Sequence, residues 1–130
     1  MTTTANTAAL KLKELNRDFS VCQVEDFSLV NQNAEYVFTG KTDGENSLVC
    51  LTEDVPSNTL LRDDGWKGFR IEGVLDFSLI GILADISSVL AENRIPIFAV
   101  STYNTDYVFV KSEKYPDAIG SLKNAGYTIV

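Results

Sequence analysis

The chain has 130 residues, 45% of them hydrophobic, with 11 Lys and Arg against 18 Asp and Glu, a net charge of −7 and no histidine. That length fits one ordinary domain, or two very small ones sharing a core, and no apolar run approaches the roughly 18 residues a bilayer span needs. Negative charge and scattered basic residues exclude a phosphate-neutralising surface, so no nucleic-acid partner is expected. The missing histidine removes the commonest general base and the commonest metal ligand.

Residues Met1–Ala9 are rich in Thr, Ala and Asn, without a basic start or an apolar stretch. They read as a short disordered tail rather than a signal peptide, on a cytoplasmic protein with no membrane partner. Leu10, Leu12 and Leu15 fit either a short helix or an extended lead-in. Phe19–Val24 reads as a strand, and Glu35–Thr42 with Ser47–Leu51 reads as a hairpin around the turn dipeptide Asp43–Gly44. Cys22 and Cys50 each lie inside an apolar run and read as buried small hydrophobes. Thr52–Lys67, with Pro56 and Asp63–Asp64–Gly65, reads as an irregular connector.

The second half is clearer. Phe69–Leu75 alternates as a strand, and Asp76–Phe77–Ser78 breaks the alternation. From Leu79 a helical period begins, carried by Leu79, Leu83, Ile86 and Leu90 and widened by Ile82 and Val89. Asp85, Ser87, Ser88 and Glu92 fall largely outside that stripe. Asp76 or Ser78 is the expected N-cap, and Asn93–Arg94 with Pro96 marks the exit. Ile97–Thr102 and Tyr107–Lys111 form a second hairpin across Tyr103–Asn104–Thr105. A second helix follows with Pro116 in its first turn, a stripe of Tyr115, Ala118, Ile119, Leu122 and Ala125, and Gly126 as its stop. Tyr127–Val130 closes as a strand. The order is βαββαβ, one sheet covered by two helices.

The first half resembles a reduced copy of the second. Val24–Val30 (VEDFSLV) echoes Val74–Ile80 (VLDFSLI), and Phe38–Thr39 before TDGE parallels Val100–Ser101 before TD. Only Asn31–Ala34 separates the turn from the next strand, so the first crossover helix is expected to be a loop. The expected division is a tail at 1–9, a degenerate unit at 10–64 and a complete unit at 65–130.

Polar residues of the second half gather at its joints. A helix N-terminus offers unpaired N–H groups and partial positive charge to a carboxylate, and Gly81 would let a ligand approach the first turn. Ser101 and Thr102 end one strand, and Asp106 opens the next, where a carboxylate could hold an ammonium. The combination suits an α-amino acid. The competing readings are structural: Gly81 for helix–sheet packing, Asp76 and Ser78 as caps, Asp106 as a turn residue, and Trp66, Tyr103 and Tyr107 as packing.

The joint LDFSLIGILADISSVLA (Leu75–Ala91), the hairpin IFAVSTYNTDYVFV (Ile97–Val110) and, more weakly, TDGENSLVCL (Thr42–Leu51) resemble the ACT domain. They are closest to the branch found in the CASTOR arginine sensors and in small stand-alone bacterial proteins. The resemblance implies an α+β, ferredoxin-like fold in two tandem units, the first one reduced. It further implies a small ligand, an amino acid, bound at a domain or dimer interface, with a homodimer rebuilding the four-unit arrangement of such sensors. Carried over, Asp76, Phe77, Ser78, Leu79, Ile80, Gly81 and Ile82 would present the helix start to the ligand. Val100, Ser101 and Thr102 would line the pocket, Asp106 would face the amino group, and Glu45 would hold the corresponding place in the first half. Arginine specificity does not follow from these motifs. The expected function is non-enzymatic regulation of a protein partner, without metal or cofactor; the alternative is an interaction protein that has lost its ligand.

Overall fold

In a computed structural model, residues 10–72 and 81–130 are described. The tail expected at 1–9 and the positions Asp76, Phe77, Ser78, Leu79 and Ile80 lie outside the described residues, as does the second half of the VEDFSLV/VLDFSLI echo. Among the described residues there are eight strands and two α-helices. They fall into two compact units: a composite one of residues 10–16 and 67–130, and an inserted one, Arg17–Trp66.

The inserted unit comprises β2 (Phe19–Val24), β3 (Val37–Lys41), β4 (Asn46–Leu51) and the first part of β5 (Thr59–Ile71), in the order β3-β4-β2-β5. Its neighbouring strands are antiparallel, with Cys22 opposite Leu48, Thr39 opposite Leu48 and Cys22 opposite Arg62. This is the strand order of a ferredoxin-like sheet in which both crossover helices are replaced. Loop residues 25–36 stand for the first, and a single 3-10 turn at Thr52–Asp54 for the second. Val30 from that loop, with Phe27 and Val55, covers a core of Cys22, Val24, Leu48 and Cys50. Burial of each Val, Leu or Phe side chain contributes roughly 1.5–3 kcal/mol.

Asp63–Asp64–Gly65, expected in a connector, lies within the 13-residue strand β5. Two local features accompany the pairing of this stretch with β2. The Arg62 guanidinium donates through Nε and Nη2 to the two Asp64 carboxylate oxygens at 3.1 and 3.2 Å. Gly65 takes a left-handed φ of 84°, open to glycine without strain, and the β2–β5 register shifts between Phe19 and Val21.

The composite unit is the complete βαββαβ arrangement. The end of β5 leads to α1 (Ile82–Glu92), β6 (Phe98–Ser101), β7 (Asp106–Lys111), α2 (Tyr115–Asn124) and β8 (Thr128–Ile129). The lead-in that the sequence left undecided is strand β1 (Lys11–Glu14), and it changes the sheet. The order is β6-β7-β5-β1-β8, with β1 antiparallel to β5 and parallel to β8. The N-terminal strand occupies the place a fourth strand would take, and β8 lies one position outside it. The Glu14 N–H donates to the Val130 carbonyl at 3.1 Å, and the Val130 N–H to the Leu12 carbonyl at 2.9 Å. Leu12, Phe69, Ile71, Ile86, Leu90, Val108, Val110 and Leu122 form a core between sheet and helices. Tyr115 anchors α2 by donating its hydroxyl to Glu14 Oε2 at 3.0 Å. Ala125 is exposed rather than part of the buried stripe, because α2 ends at Asn124 and Ala125 is its C-cap. Tyr103, read as packing, is 87% exposed.

The two units repeat one plan. A constant displacement in number carries Lys41 onto Ser101 and Asn46 onto Asp106, each pair closing a hairpin. The same displacement carries the 3-10 turn Thr52–Asp54 onto Ser112–Lys114 and Val55–Pro56 onto Tyr115–Pro116. In the second copy the proline opens α2; in the first it leads into a turn before β5. Hairpin register thus matches Phe38 with Phe98 and Gly40 with Val100, a shift from the sequence pairing of Phe38–Thr39 with Val100–Ser101.

Candidate functional site

The site expected from the sequence falls in the composite unit. Helix α1 starts at Ile82, three residues later than its apolar period suggested, with Gly81 as N-cap. Gly81 has φ 82°, ψ 10°, and among the described residues no side-chain hydrogen bond caps the helix; the expected caps Asp76 and Ser78 lie outside the described residues. Among the described residues, a β-carbon at Gly81 would meet nothing within 4 Å. The left-handed backbone, which lets the chain turn into the helix, is itself a reason for glycine here.

Hairpin β6–β7 supplies the other side. Ala99 pairs with Val108 and Ser101 with Asp106, so these four share a face. Val108 packs in the core with Ile82, Ile86 and Leu90 of α1, which makes this the helix-covered face, and Ser101 and Asp106 sit at its open end. Among the described residues neither the Ser101 hydroxyl nor the Asp106 carboxylate has a hydrogen-bond or ion-pair partner. Val100 points to the opposite face, where Phe98 and Phe109 stack with centroids 4.8 Å apart. The structure therefore brings Ser101 and Asp106 together and parts Val100 from them.

Thr102 is committed to the turn. Its N–H and hydroxyl both donate to the Thr105 carbonyl, at 2.8 and 2.9 Å. Thr105, which the sequence reading passed over, is only 7% exposed and donates its hydroxyl to the Ile71 carbonyl at 2.6 Å. It fixes the hairpin tip against the end of β5, the strand that leads toward α1.

The sequence profile of the ACT domain matches residues 61–124. A solved protein of Agobacterium tumefaciens is 31% identical, with a TM-score of 0.84, over 93% of this chain and 92% of that one. The chain belongs to the ACT domain family. Its fold is also similar to two solved proteins of lower identity. Aspartate kinase of Clostridium acetobutylicum is 14% identical with a TM-score of 0.64, over 97% of this chain and 36% of that one. The regulatory subunit of aspartate kinase from Thermus thermophilus, in a ligand-free form, is 12% identical with a TM-score of 0.57, over 89% of this chain and 95% of that one.

The reduced ACT unit does not reproduce the acidic position of the complete one. Register sets Asn46, rather than Glu45, in the place of Asp106, and Glu45 in the place of Thr105. Asn46 is engaged, its Nδ2 donating to the Glu25 carbonyl at 2.9 Å. Glu45 is exposed, and with Val21, Gln23, Ser47 and Asp63 it lines a shallow cleft of about 240 Å³. A second cleft, polar and lined by Asn93, Pro116, Asp117 and Asn124, lies at the far end of α1 from Gly81.

One acidic residue at the edge of the α1 stripe carries a buried polar atom. Asp85, in the first turn of α1, has a buried Oδ2 with no hydrogen-bond partner among the described residues. The signal was available: Ile82, Asp85, Ile86 and Val89 follow helical spacing on one face. Among the described residues no group of three or more His, Cys, Asp or Glu could hold a metal ion, and no helix is long and apolar enough to cross a membrane. Cys22 and Cys50 are buried and free. Burial pushes both thiols up, Cys50 to about 12, which leaves them protonated and poorly nucleophilic.

Proposed function

We propose that this chain is an amino-acid-binding regulatory module that acts by ligand-dependent pairing with a second copy and has no catalysis of its own. The observation that carries the reading is the Ser101–Asp106 pair, without a hydrogen-bond or ion-pair partner among the described residues, at the open end of the helix-covered face. A carboxylate there offers an ammonium its counter-charge, while the backbone N–H groups at the start of α1, without a side-chain cap among the described residues, suit a ligand carboxylate. Membership of the ACT family supports a regulatory, ligand-binding role in general, and the aspartate kinase regulatory subunit provides a fold-level analogy. A ligand held between two copies would stabilise the paired state by its difference in affinity for the two states.

Thermal unfolding of the full chain against the common amino acids tests this. At about 100 times Kd a ligand should stabilise the fold by roughly 2.7 kcal/mol, and light scattering should report more dimer in its presence. No shift with any amino acid at millimolar concentration would overturn the reading, leaving an interaction protein that has lost its ligand.

A further inference from the structure

Two Asp-Gly dipeptides lie in the inserted unit, Asp43–Gly44 and Asp64–Gly65, and their carboxylates are held in opposite ways. Asp64 is clamped. Its Oδ1 accepts from the Ser20 hydroxyl at 2.5 Å and from Arg62 Nε at 3.1 Å, and its Oδ2 accepts from Arg62 Nη2 at 3.2 Å. Ser20 is fully buried, and the dipeptide lies within strand β5. Asp43 is loose. Residues 41–45 are all exposed, and the Asp43 carboxylate has no hydrogen-bond or ion-pair partner among the described residues. The turn closes through the Thr42 N–H, which donates to the Glu45 carbonyl at 3.0 Å. The Gly44 N–H shares the Thr42 hydroxyl oxygen with the Glu45 N–H, each at 3.2 Å, the long end of the range for such bonds. A β-carbon at Gly44 would meet nothing nearer than that same oxygen, at 3.9 Å, so the nitrogen is open to approach.

From this contrast we infer that Asp43–Gly44 is a site of spontaneous isoaspartate formation, and that the clamp on Asp64 protects Asp64–Gly65. The Gly44 nitrogen releases its proton to solvent and bonds to Asp43 Cγ. One carboxyl oxygen takes up protons from solvent and departs as water, leaving a cyclic succinimide. Water then reopens the ring. Attack at Cγ restores aspartate, whereas attack at the backbone carbonyl carbon breaks the original peptide bond. The chain then runs through the Asp43 β-carbon, and the former backbone carbonyl becomes a free carboxylate. One water is lost and one is regained, with no oxidation or reduction. The product has an extra methylene in the backbone of the turn that joins Lys41 to its partner Asn46. β3 is an edge strand, paired with β4, so the longer turn loosens the β3–β4 register at that end.

The test ages the folded full chain in warm neutral buffer and digests it with trypsin into peptides 42–62 and 63–67, which separate the two dipeptides. Methyl transfer from S-adenosylmethionine by an isoaspartyl methyltransferase reports the new carboxylate, and electron-transfer fragmentation assigns it to a residue. Asp43 is expected to gain isoaspartate several-fold faster than Asp64. In a chain aged in urea the two rates should converge, because the clamp is gone. Equal rates in the folded chain would overturn the inference, as would a difference that persists in urea. Asp43→Glu has a side chain one methylene too long for the ring and should abolish methyl acceptance by the aged folded chain. Acceptance that persists would place the site elsewhere and overturn the assignment. The aged wild type should show a lower urea midpoint than fresh protein, and aged Asp43→Glu should not. An unchanged midpoint with isoaspartate present would overturn the loosened register.

Discussion

The Thr105 hydroxyl donates a 2.6 Å hydrogen bond to the carbonyl oxygen of Ile71, tying the β6–β7 turn to the last residue of β5. Both groups are buried, since Thr105 is 7% exposed and Ile71 fully enclosed. Thr105→Val keeps the shape of the side chain and strands the carbonyl, so a loss of about 1–3 kcal/mol is expected. Urea denaturation should show a lower midpoint with an unchanged slope. Thr105→Ser, which keeps the donor, should lose less. Equal losses in the two variants would mean that the methyl group, and not the hydrogen bond, holds the turn.

Asp106→Ala is expected to abolish the thermal response to any amino acid that binds, while leaving the unfolding temperature without ligand close to that of the wild type. The carboxylate has no partner to lose among the described residues, so its removal should cost the fold little. A normal ligand response in this variant would remove Asp106 from the ammonium-binding role.

Two glycines of the composite unit should respond to alanine for different reasons. At Gly68 a β-carbon would lie 2.7 Å from Phe109 Cδ1 and 3.1 Å from the Val108 carbonyl. Phe109 is fully buried and stacked on Phe98, so its ring has no room to yield. Gly68→Ala is expected to cost about 1–3 kcal/mol by overpacking. At Gly81 there is space but a left-handed backbone, so Gly81→Ala should cost about 1–2 kcal/mol, and Gly81→Asn less. Denaturant midpoints for the three variants check both accounts.

Alkaline pH should destabilise the chain through its thiols. Burial raises Cys22, and burial, with Cys22 beside it, raises Cys50 from an ordinary 9.0 to about 12. Above pH 9 the unfolded chain releases thiol protons that the folded chain retains. The folded state then binds more protons, so stability falls as pH rises, from 9 toward 12 for Cys50. Urea midpoints at pH 8 and pH 9.5 should differ in the wild type, and the difference should shrink in Cys50→Ala. An unchanged difference in that variant would assign the alkaline loss to other groups.

Much of the complete unit was legible because its apolar period switches cleanly from two to helical and back, and because Pro116 and Gly126 punctuate α2. What escaped the reading depended on tertiary context. Asp63–Asp64–Gly65 has the composition of a turn, yet pairing with β2, Cys22 opposite Arg62 and Val21 opposite Asp63, makes it strand. Lys11–Glu14 is too short for either period to register, and its identity as a strand comes from Ile71 and Ile129 on its two sides. Asp85 was read as lying largely outside the stripe; it is half-buried, and its spacing from Ile82 and Ile86 encloses its Oδ2. Of the expected site, Ser101 and Asp106 were singled out by their position at a strand joint, and the hairpin register pairs them. Thr105 was missed because a threonine in a turn sequence gives no sign of a distant carbonyl partner.

The place of β1 between β5 and β8 bears on how the protein is made. The inserted unit is contiguous in sequence, so its strands can pair once Trp66 has been synthesised. The composite unit brings Glu14 and Val130 together, contacts of very high sequence separation, which form slowly. During synthesis β1 must wait with its backbone unpaired until β5 and then β8 arrive. Its sequence, Lys-Leu-Lys-Glu, suits that wait: a single buried leucine specifies the eventual register, and flanking charges discourage premature pairing with another chain.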